Sequence, residues 1–548
     1  MIGMRLGDIA RAIGADVGPS DAPVMVEGLT TDSRDVRPGD LFVAIRGKRF
    51  DGAAFIDKAF AAGAVACVVS ASRSSSAGCS RRDTSRRPEP TAPDVCARRD
   101  GGGAGRCLVV DDSVKALGRL AGYYRRRVMD ESTVVIAVTG SNGKTTTKWM
   151  IDHVLSADLP GQASPKNFNN HIGVPLTLLS ARRTDRYLVV EIGTSAPGEV
   201  DALSQMAQPD IGVITSIGVA HTEGLGDLEA IAAEKASLLR HVRPDTQDSR
   251  PGGFAVVNVD DARIMRHLPP DYVTADGDLY AKPTGTDAVA ESGGYVVRSG
   301  RFAQAEACGS LNEFAQAEAC GSSKRRVLCT VGRPTRAELR ISGVETSLRG
   351  TSFILDGVVG MRLSTPGGHS ASNAAIAYAV GRRMGVVADQ IVQRLGTFQS
   401  PGGRGKVIDA GGLTIIDDCY NANPSSMTAA LGLLAHSDGL RRVLVMGDML
   451  ELGADSECWH RRMGEAAADA GVDLLLTIGS ASRVAAEAAS GGVRSITCFD
   501  QTADAAEHVR GVVRAGDTVL VKGSRAMGLE QVVERLAGRP STARVVVA

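Results

Sequence analysis

No Cys-x-x-Cys pair occurs among the ten cysteines of this 548-residue chain, so neither a zinc site nor a disulfide scaffold is suggested. A reducing cytosol suits such a chain. No apolar run approaches the ~20 residues that a bilayer span requires. Met1 to Ile13 carries Arg5, Asp8 and Arg11 where a signal peptide would be apolar. The expectation is a cytoplasmic protein with no membrane span. Neither sign of charge dominates, since 62 basic side chains balance 62 acidic ones. No global field therefore draws the chain to nucleic acid or an anionic surface, and small-molecule partners are expected. An Asn-Lys-x-Asp element for reading guanine is also missing, which counts against a GTPase.

A charged content of 23% with 43% hydrophobic residues is ordinary for a globular protein, and the length predicts about three domains. Residues 1–110 read as a small N-terminal α/β module, interrupted at 71–106 by a Ser-, Arg-, Pro- and Gly-rich excursion expected to be disordered. Residues 111–399 alternate strands with helices. Strands are predicted at 133–139, 187–192, 211–217 and 254–259, and helices at 146–155 and 228–240. Within this part, about 281–336 reads as an irregular insertion in which Phe302-Ala-Gln-Ala-Glu-Ala-Cys-Gly-Ser310 recurs as Phe314 to Ser322. One repeat of that length is a local duplication, not a solenoid. Residues 400–548 resume the alternation with strands at 413–416, 443–446, 474–478 and 518–521. The fold class is α/β: a small N-terminal module, a central P-loop-type parallel-sheet ATPase domain and a C-terminal Rossmann-like domain.

The central strand Val134 to Val138 feeds Thr139-Gly140-Ser141-Asn142-Gly143-Lys144-Thr145-Thr146 and then a helical pattern. Glycines allow backbone N–H groups close to phosphate oxygens, and the helix offers its positive end. Lys144 adds a point charge and the Thr145 hydroxyl suits Mg²⁺. The strict Walker spacing is not met, because Val138 stands where a glycine would be. A packing turn is the alternative, but an ammonium and hydroxyls at a helix start are poor core material. Glu191 closes the next strand and His221 follows the one after, so these strand ends are expected to converge on one triphosphate. Amides at Asn167, Asn169 and Asn170 either cap turns or face a ligand. Lys235, by spacing alone, is an ordinary surface lysine on an amphipathic helix. Asp417 and Asp418 close an apolar strand as a motor NTPase's acidic motif would, although across a domain boundary from the cradle.

In order, these segments resemble the Mur ligase family of cell-wall amide synthetases. The resemblance rests on Thr139-Gly-Ser-Asn-Gly-Lys-Thr-Thr146, Asn167-x-Asn-Asn-x-Ile-Gly-x-Pro-x-Thr177, Glu191-x-Gly, His221-x-Glu-Gly, Gly367-x-His369-x3-Asn373, Asp418-x-Tyr-Asn-Ala-Asn-Pro424, Gly447-Asp-Met-x-Glu-Leu-Gly453 and Lys522-Gly-Ser-Arg525. Thr31-Asp-Ser-Arg34 and Pro38-Gly-Asp-Leu-Phe-Val-Ala44 extend it to the N-terminal module. The Tyr-Asn-Ala-Asn-Pro and Lys-Gly-Ser-Arg forms resemble the member that adds a terminal dipeptide. The Asp-Asn-Pro-Arg signature of the member that adds the third residue is absent.

The resemblance implies an ATP-dependent ligase joining D-alanyl-D-alanine to UDP-N-acetylmuramoyl-tripeptide through an acyl phosphate, acting as a monomer. It implies that Gly140 to Thr146, Arg404, Asn421 and Asn423 bind ATP, and that Thr145, Glu191 and His221 hold Mg²⁺. It also implies that Asn169 and Asn170 line the catalytic loop and that Lys235 carries a CO₂-derived carbamate. Thr31, Ser33, Arg34 and Lys48 are assigned to the UDP end, and Asp448 and Arg525 to the dipeptide. His171 and Ser370 depart from the family's usual residues. Another Mur-type or folylpolyglutamate-type ligase, or an NTP-binding switch, are the competing readings.

Overall fold

The computed structural model describes residues 1, 3–47, 51–71, 106–129, 131–244, 252–274, 326–335 and 337–538. The excursion at 71–106, apart from its two border residues, the duplicated nine-residue segment and Lys48 lie outside the described residues. The chain divides into two compact units.

The first unit comprises 1–135, 160–192 and 202–208. Its N-terminal module is a parallel sheet of Gly28–Thr30, Asp40–Val43, Ala66–Ser70 and Arg106–Val110, in that order. Phe42, Ile56, Ala59, Cys67 and Val69 form its core. The helix Ser113–Arg127 follows, with the Asp112 carboxylate accepting from the Val114 and Lys115 N–H groups. Tyr124 on this helix donates its hydroxyl proton to the Ala181 carbonyl at 2.7 Å. Strand Tyr187–Glu191 pairs in parallel with Gly161–Ala163 and is buried along its whole length.

The second unit comprises 136–159, 193–201 and 209–548, and carries two sheets. Ile136 to Thr139 pair in parallel with Ile211–Ile214, which pairs with Phe254–Asn258, and that with Arg326–Gly332. These strands are mostly apolar and buried, as expected of a parallel sheet covered on both faces. Two expectations are corrected here. The irregular insertion ends earlier than 336, since Arg326–Gly332 is a strand. Beyond it, Leu339–Ser347, Gly350–Leu355 and Val359–Leu363 extend the sheet as an antiparallel meander. The alternation of Leu339–Ser347 is interrupted in sequence because the register shifts between Ser342 and Glu345. The helix expected over 228–240 stops at Ala236 and tightens into a 3₁₀ turn, Ser237–His241.

The second sheet runs Lys406–Ala410, Leu413–Asp417, Asp517–Lys522, Arg441–Gly447, Leu474–Ile478, Ser495–Phe499. Only its first pair is antiparallel, turned through Gly411 and Gly412 at φ +63° and +83°. The two-residue period divides its core. Leu444, Met446 and Leu520 pack on one face. Val443, Val445, Val519 and Val521 pack on the other. Each such fully buried side chain is worth about 1.5–3 kcal/mol of hydrophobic stabilisation. Among the described residues no helix is long and apolar enough to cross a membrane.

Candidate active site

The cradle sits where strand Val134–Thr139 becomes helix Lys144–Leu155. Gly140 adopts φ +146°, and a Cβ there would lie 2.1 Å from Thr215 Oγ1. Gly143 adopts φ +81°, with Asn373 Oδ1 2.5 Å from a would-be Cβ. Both positions therefore require glycine for conformation and for space. The loop is pinned to the segment after Ile214. Thr215 Oγ1 donates to the Asn142 carbonyl at 2.5 Å, Asn142 N–H donates to Ser216 Oγ at 3.0 Å, and Ser141 Oγ donates to the Gly218 carbonyl at 2.9 Å. That is why the strand expected over 211–217 ends at Ile214: residues 215–218 hold the loop instead. Gly143, the residue before the helix, supplies no side-chain cap to the first turn, which leaves a helix end suited to an anion. Lys144 Nζ folds back onto the Gly140 and Ser141 carbonyls at 2.6 and 3.2 Å. Thr145 and Thr146 are buried at the helix start.

Lys235 corrects the expectation of an ordinary surface lysine. It is 1% exposed, on the face of helix Leu228–Ala236 that also buries Ile231, Ala232 and Ala236. Its Nζ has no hydrogen-bond partner among the described residues. Burial, reinforced by the Lys144 ammonium, holds its pKa well below the ordinary lysine value. The neighbouring Glu234 is spent elsewhere, accepting from the Gly198 and Val200 N–H groups.

His221 stands at φ +56°, and its Nδ1 bonds the Glu451 carboxylate. The imidazole in turn holds the Glu451 carboxyl below its usual range. Asn423 caps helix Pro424–Ala435 through Oδ1, while its Nδ2 donates to Asn142 Oδ1 at 2.7 Å. Residues on different elements of the second unit thus meet at the phosphate loop.

The family model for the Mur ligase family catalytic domain matches residues 25–92, that for the Mur ligase middle domain 138–275, and that for the Mur ligase glutamate ligase domain 403–525. The chain is 30% identical to UDP-N-acetylmuramoyl-tripeptide–D-alanyl-D-alanine ligase of Bacillus subtilis, over 98% of this chain and all of that one. It is 32% identical to the enzyme of that name from Mycobacterium tuberculosis, over 98% of both chains. The chain belongs to the Mur ligase family. Its structure is similar to that of MurF from Acinetobacter baumannii, with a TM-score of 0.72 and 26% identity over 98% of this chain and 99% of that one.

In the C-terminal part of this Mur ligase, Arg404 stacks 4.1 Å from the Tyr420 ring centre, with the Arg525 guanidinium at 5.4 Å. Tyr420 and Arg525 border a cavity of about 260 Å³ lined also by Lys406, Asp417 and Glu530. The two acids that resembled a motor motif are engaged within the domain: Asp417 accepts from Gly403 N–H at 2.8 Å and Asp418 pairs with Lys522. Asn421 offers its carbonyl to Lys522 at 3.0 Å. Asp448, assigned to the dipeptide, is buried, and its Oδ1 accepts from Ser482 N–H at 2.7 Å.

In the first unit, Glu191 is 1% exposed, and its Oε1 accepts from Asn169 Nδ2 at 3.0 Å. Asn170 Oδ1 accepts from the Ile172 and Gly173 N–H groups where helix Gly173–Leu179 begins. Thr31 and Ser33 lie in the turn that Asp32 and Arg34 close, with Arg34 Nε 2.9 Å from Asp32 Oδ1. Among the described residues no three His, Cys, Asp or Glu side chains gather to cage an ion. A Mg²⁺ delivered on phosphates needs only one or two protein oxygens, and the Glu191 carboxylate and, separately, the Thr145 hydroxyl are oxygens of the type it takes.

Two residues were visible in the sequence only as parts of motifs. Asn373 is buried against Gly143 with its Nδ2 unpartnered among the described residues. Glu451 lies in the Gly447–Gly453 motif, and only tertiary contact reveals that it meets His221.

Proposed function

We propose that this Mur ligase joins D-alanyl-D-alanine to UDP-N-acetylmuramoyl-tripeptide in the cytoplasm, using ATP to convert the tripeptide's terminal carboxylate into an acyl phosphate. The dipeptide amine attacks the acyl carbon, the carbon–oxygen bond to phosphate breaks, phosphate leaves and the amine gives up a proton. Negative charge spreads over the transferring phosphoryl group, and the loop N–H groups and Lys144 lie where a phosphate would meet them. Lys144 exchanges its two carbonyl partners for phosphate oxygens when the nucleotide enters. Thr145 and Glu191 would hold Mg²⁺, with His221 at a second ion; the metal supplies neutralisation of phosphate charge. Asn169 steadies the Glu191 carboxylate through its hydrogen bond. Arg404, with Asn421 from the separate Tyr420–Pro424 turn, contacts ATP from the C-terminal wall, and Asn423 braces that second turn against Asn142.

The observation that carries the reading is Lys235: a buried amine with no hydrogen-bond partner among the described residues, depressed by burial and by the Lys144 charge. A neutral amine is the form that attacks CO₂. The N–C bond forms, a proton leaves, and an anionic carbamate replaces a cation that the site would otherwise repel. The N-terminal part, residues 1–110, takes the UDP end through Thr31, Ser33, Arg34 and Lys48, residues 111–399 the ATP, and 400–548 the dipeptide, with Arg525 offered to its carboxylate. The protein acts as a monomer.

Release of ADP measured with the UDP-linked tripeptide and a panel of amine acceptors tests the reaction. Release is expected with D-alanyl-D-alanine and not with free amino acids, and equal release with glutamate or a diamino acid would defeat the assignment. Lys144→Ala is expected to slow release by about 10²- to 10³-fold. Lys235→Ala is expected to be inactive until a short carboxylic acid is added; full activity without it would remove Lys235 from the mechanism.

A further inference from the structure

The turn Gly447–Gly453 belongs to the C-terminal sheet, yet it reaches the His221 loop at several points. Glu451 carboxylate meets His221 Nδ1, Glu223 N–H donates to the Glu451 carbonyl at 3.3 Å, and Thr222 Oγ1 donates to the Leu452 carbonyl at 3.3 Å. The turn is itself fixed from behind. Met449 N–H donates to His460 Nε2 at 3.0 Å, and Leu450 N–H donates to Ser524 Oγ at 2.8 Å. His460 is fully buried, with Nδ1 2.7 Å from the Ser456 carbonyl, so its tautomer is set and it serves as a rigid post.

Glu451 and His221 are both non-glycine residues at positive φ, +63° and +56°. Each pays a backbone cost that glycine would avoid, and the two meet only through their side chains. A carboxylate can only accept, so Nδ1 carries the proton and Nε2 keeps its lone pair. Among the described residues Nε2 makes no hydrogen bond. An imidazole oriented in this way is the form in which histidine binds a cation.

We propose that Glu451 is a positioning residue: supplied by the C-terminal part, it fixes the tautomer and ring orientation of His221 and so completes the divalent-cation site of the central part. This rests on His221 facing a metal, as proposed above. The cation site of the central part is then complete only with Glu451 in place beside His221.

The test uses the full chain with a non-hydrolysable ATP analogue, reading Mn²⁺ affinity by electron paramagnetic resonance and the His221 tautomer by ¹⁵N NMR. Glu451→Ala and Glu451→Gly are expected to bind Mn²⁺ about tenfold more weakly and to lose the Nδ1–H tautomer. Glu451→Gln, which keeps a neutral acceptor, is expected to retain that tautomer. Glu451→Gly relieves the backbone at φ +63°, so its melting temperature is expected not to fall. A lower melting temperature with wild-type Mn²⁺ affinity would show a merely structural tie and overturn the proposal. If His221→Ala weakens Mn²⁺ binding while Glu451→Ala leaves affinity and tautomer unchanged, this inference fails and the ligase reading stands. If His221→Ala binds Mn²⁺ like the wild type, the metal role of His221 fails and the inference falls with it. Glu457→Gln, on the exposed Glu457–Arg461 pair, is the control expected to change nothing.

Discussion

Two buried lysines in the second unit, Lys235 and Lys522, occupy opposite electrostatic situations. Lys522 is 2% exposed at the end of a central strand, with Nζ 2.6 Å from Asp418 Oδ2 and 3.0 Å from the Asn421 carbonyl. Its charge is compensated on the spot, and it ties the strand to the Tyr420–Pro424 turn. Lys235 is equally buried and has no such partner. Desolvation without compensation destabilises the fold, and a group kept under those conditions points to chemistry rather than architecture. Burial alone therefore does not mark a lysine as a candidate for chemistry; burial without a partner among the described residues, beside another cation, does.

Replacing each lysine by methionine keeps length and removes charge, and should separate the two roles. Lys522→Met leaves Asp418 without its partner and is expected to cost about 3 kcal/mol in unfolding free energy, measured by urea titration. Lys235→Met is expected to act in the other direction. In CO₂-free buffer near pH 7 it should raise the unfolding free energy by about 1–3 kcal/mol, because an unpaired buried polar group disappears. A loss of stability there would mean that Lys235 has a compensating partner after all.

The same comparison has a pH signature. The folded chain holds Lys235 below its ordinary value, so between that lowered pKa and about 10.4 the unfolded chain binds the extra proton. Stability attributable to this residue must therefore rise with pH across that window. The advantage of Lys235→Met over wild type is expected to shrink as pH climbs from 7 toward 10, followed by paired urea titrations. A constant difference would contradict a depressed lysine. The smallest effect concerns the turn that Lys522 anchors. Asn423→Ala removes a helix cap and the Asn142 contact, and is expected to cost about 1 kcal/mol, read from the melting temperature.

Legibility followed the range of the interaction. The cradle was readable because every element of it is local: an apolar strand, Gly140 and Gly143 at turn positions, then Lys144 and Thr145 opening a helix. The strands at 474–478 and 517–522 were readable for the same reason, as short apolar runs bounded by turn residues. The meander from Leu339 to Leu363 was not, because the register shift between Ser342 and Glu345 breaks the two-residue alternation by which such strands are recognised. Asp448 and Asn170 were named from the sequence as ligand candidates. Their carboxylate and amide look alike in sequence whether they meet a substrate or, as here, backbone N–H groups.

The order of motifs along the chain determined the family and the chemistry, since glycine conformation, hydroxyl and ammonium placement and strand periodicity act within a few residues of one another. Tertiary structure alone decided which charged groups are compensated. It left Lys235 bare, gave Lys522 its aspartate and brought Glu451 to His221 across 230 residues of chain. Desolvation and pairing depend on what other segments place beside a side chain, and no local pattern carries that information.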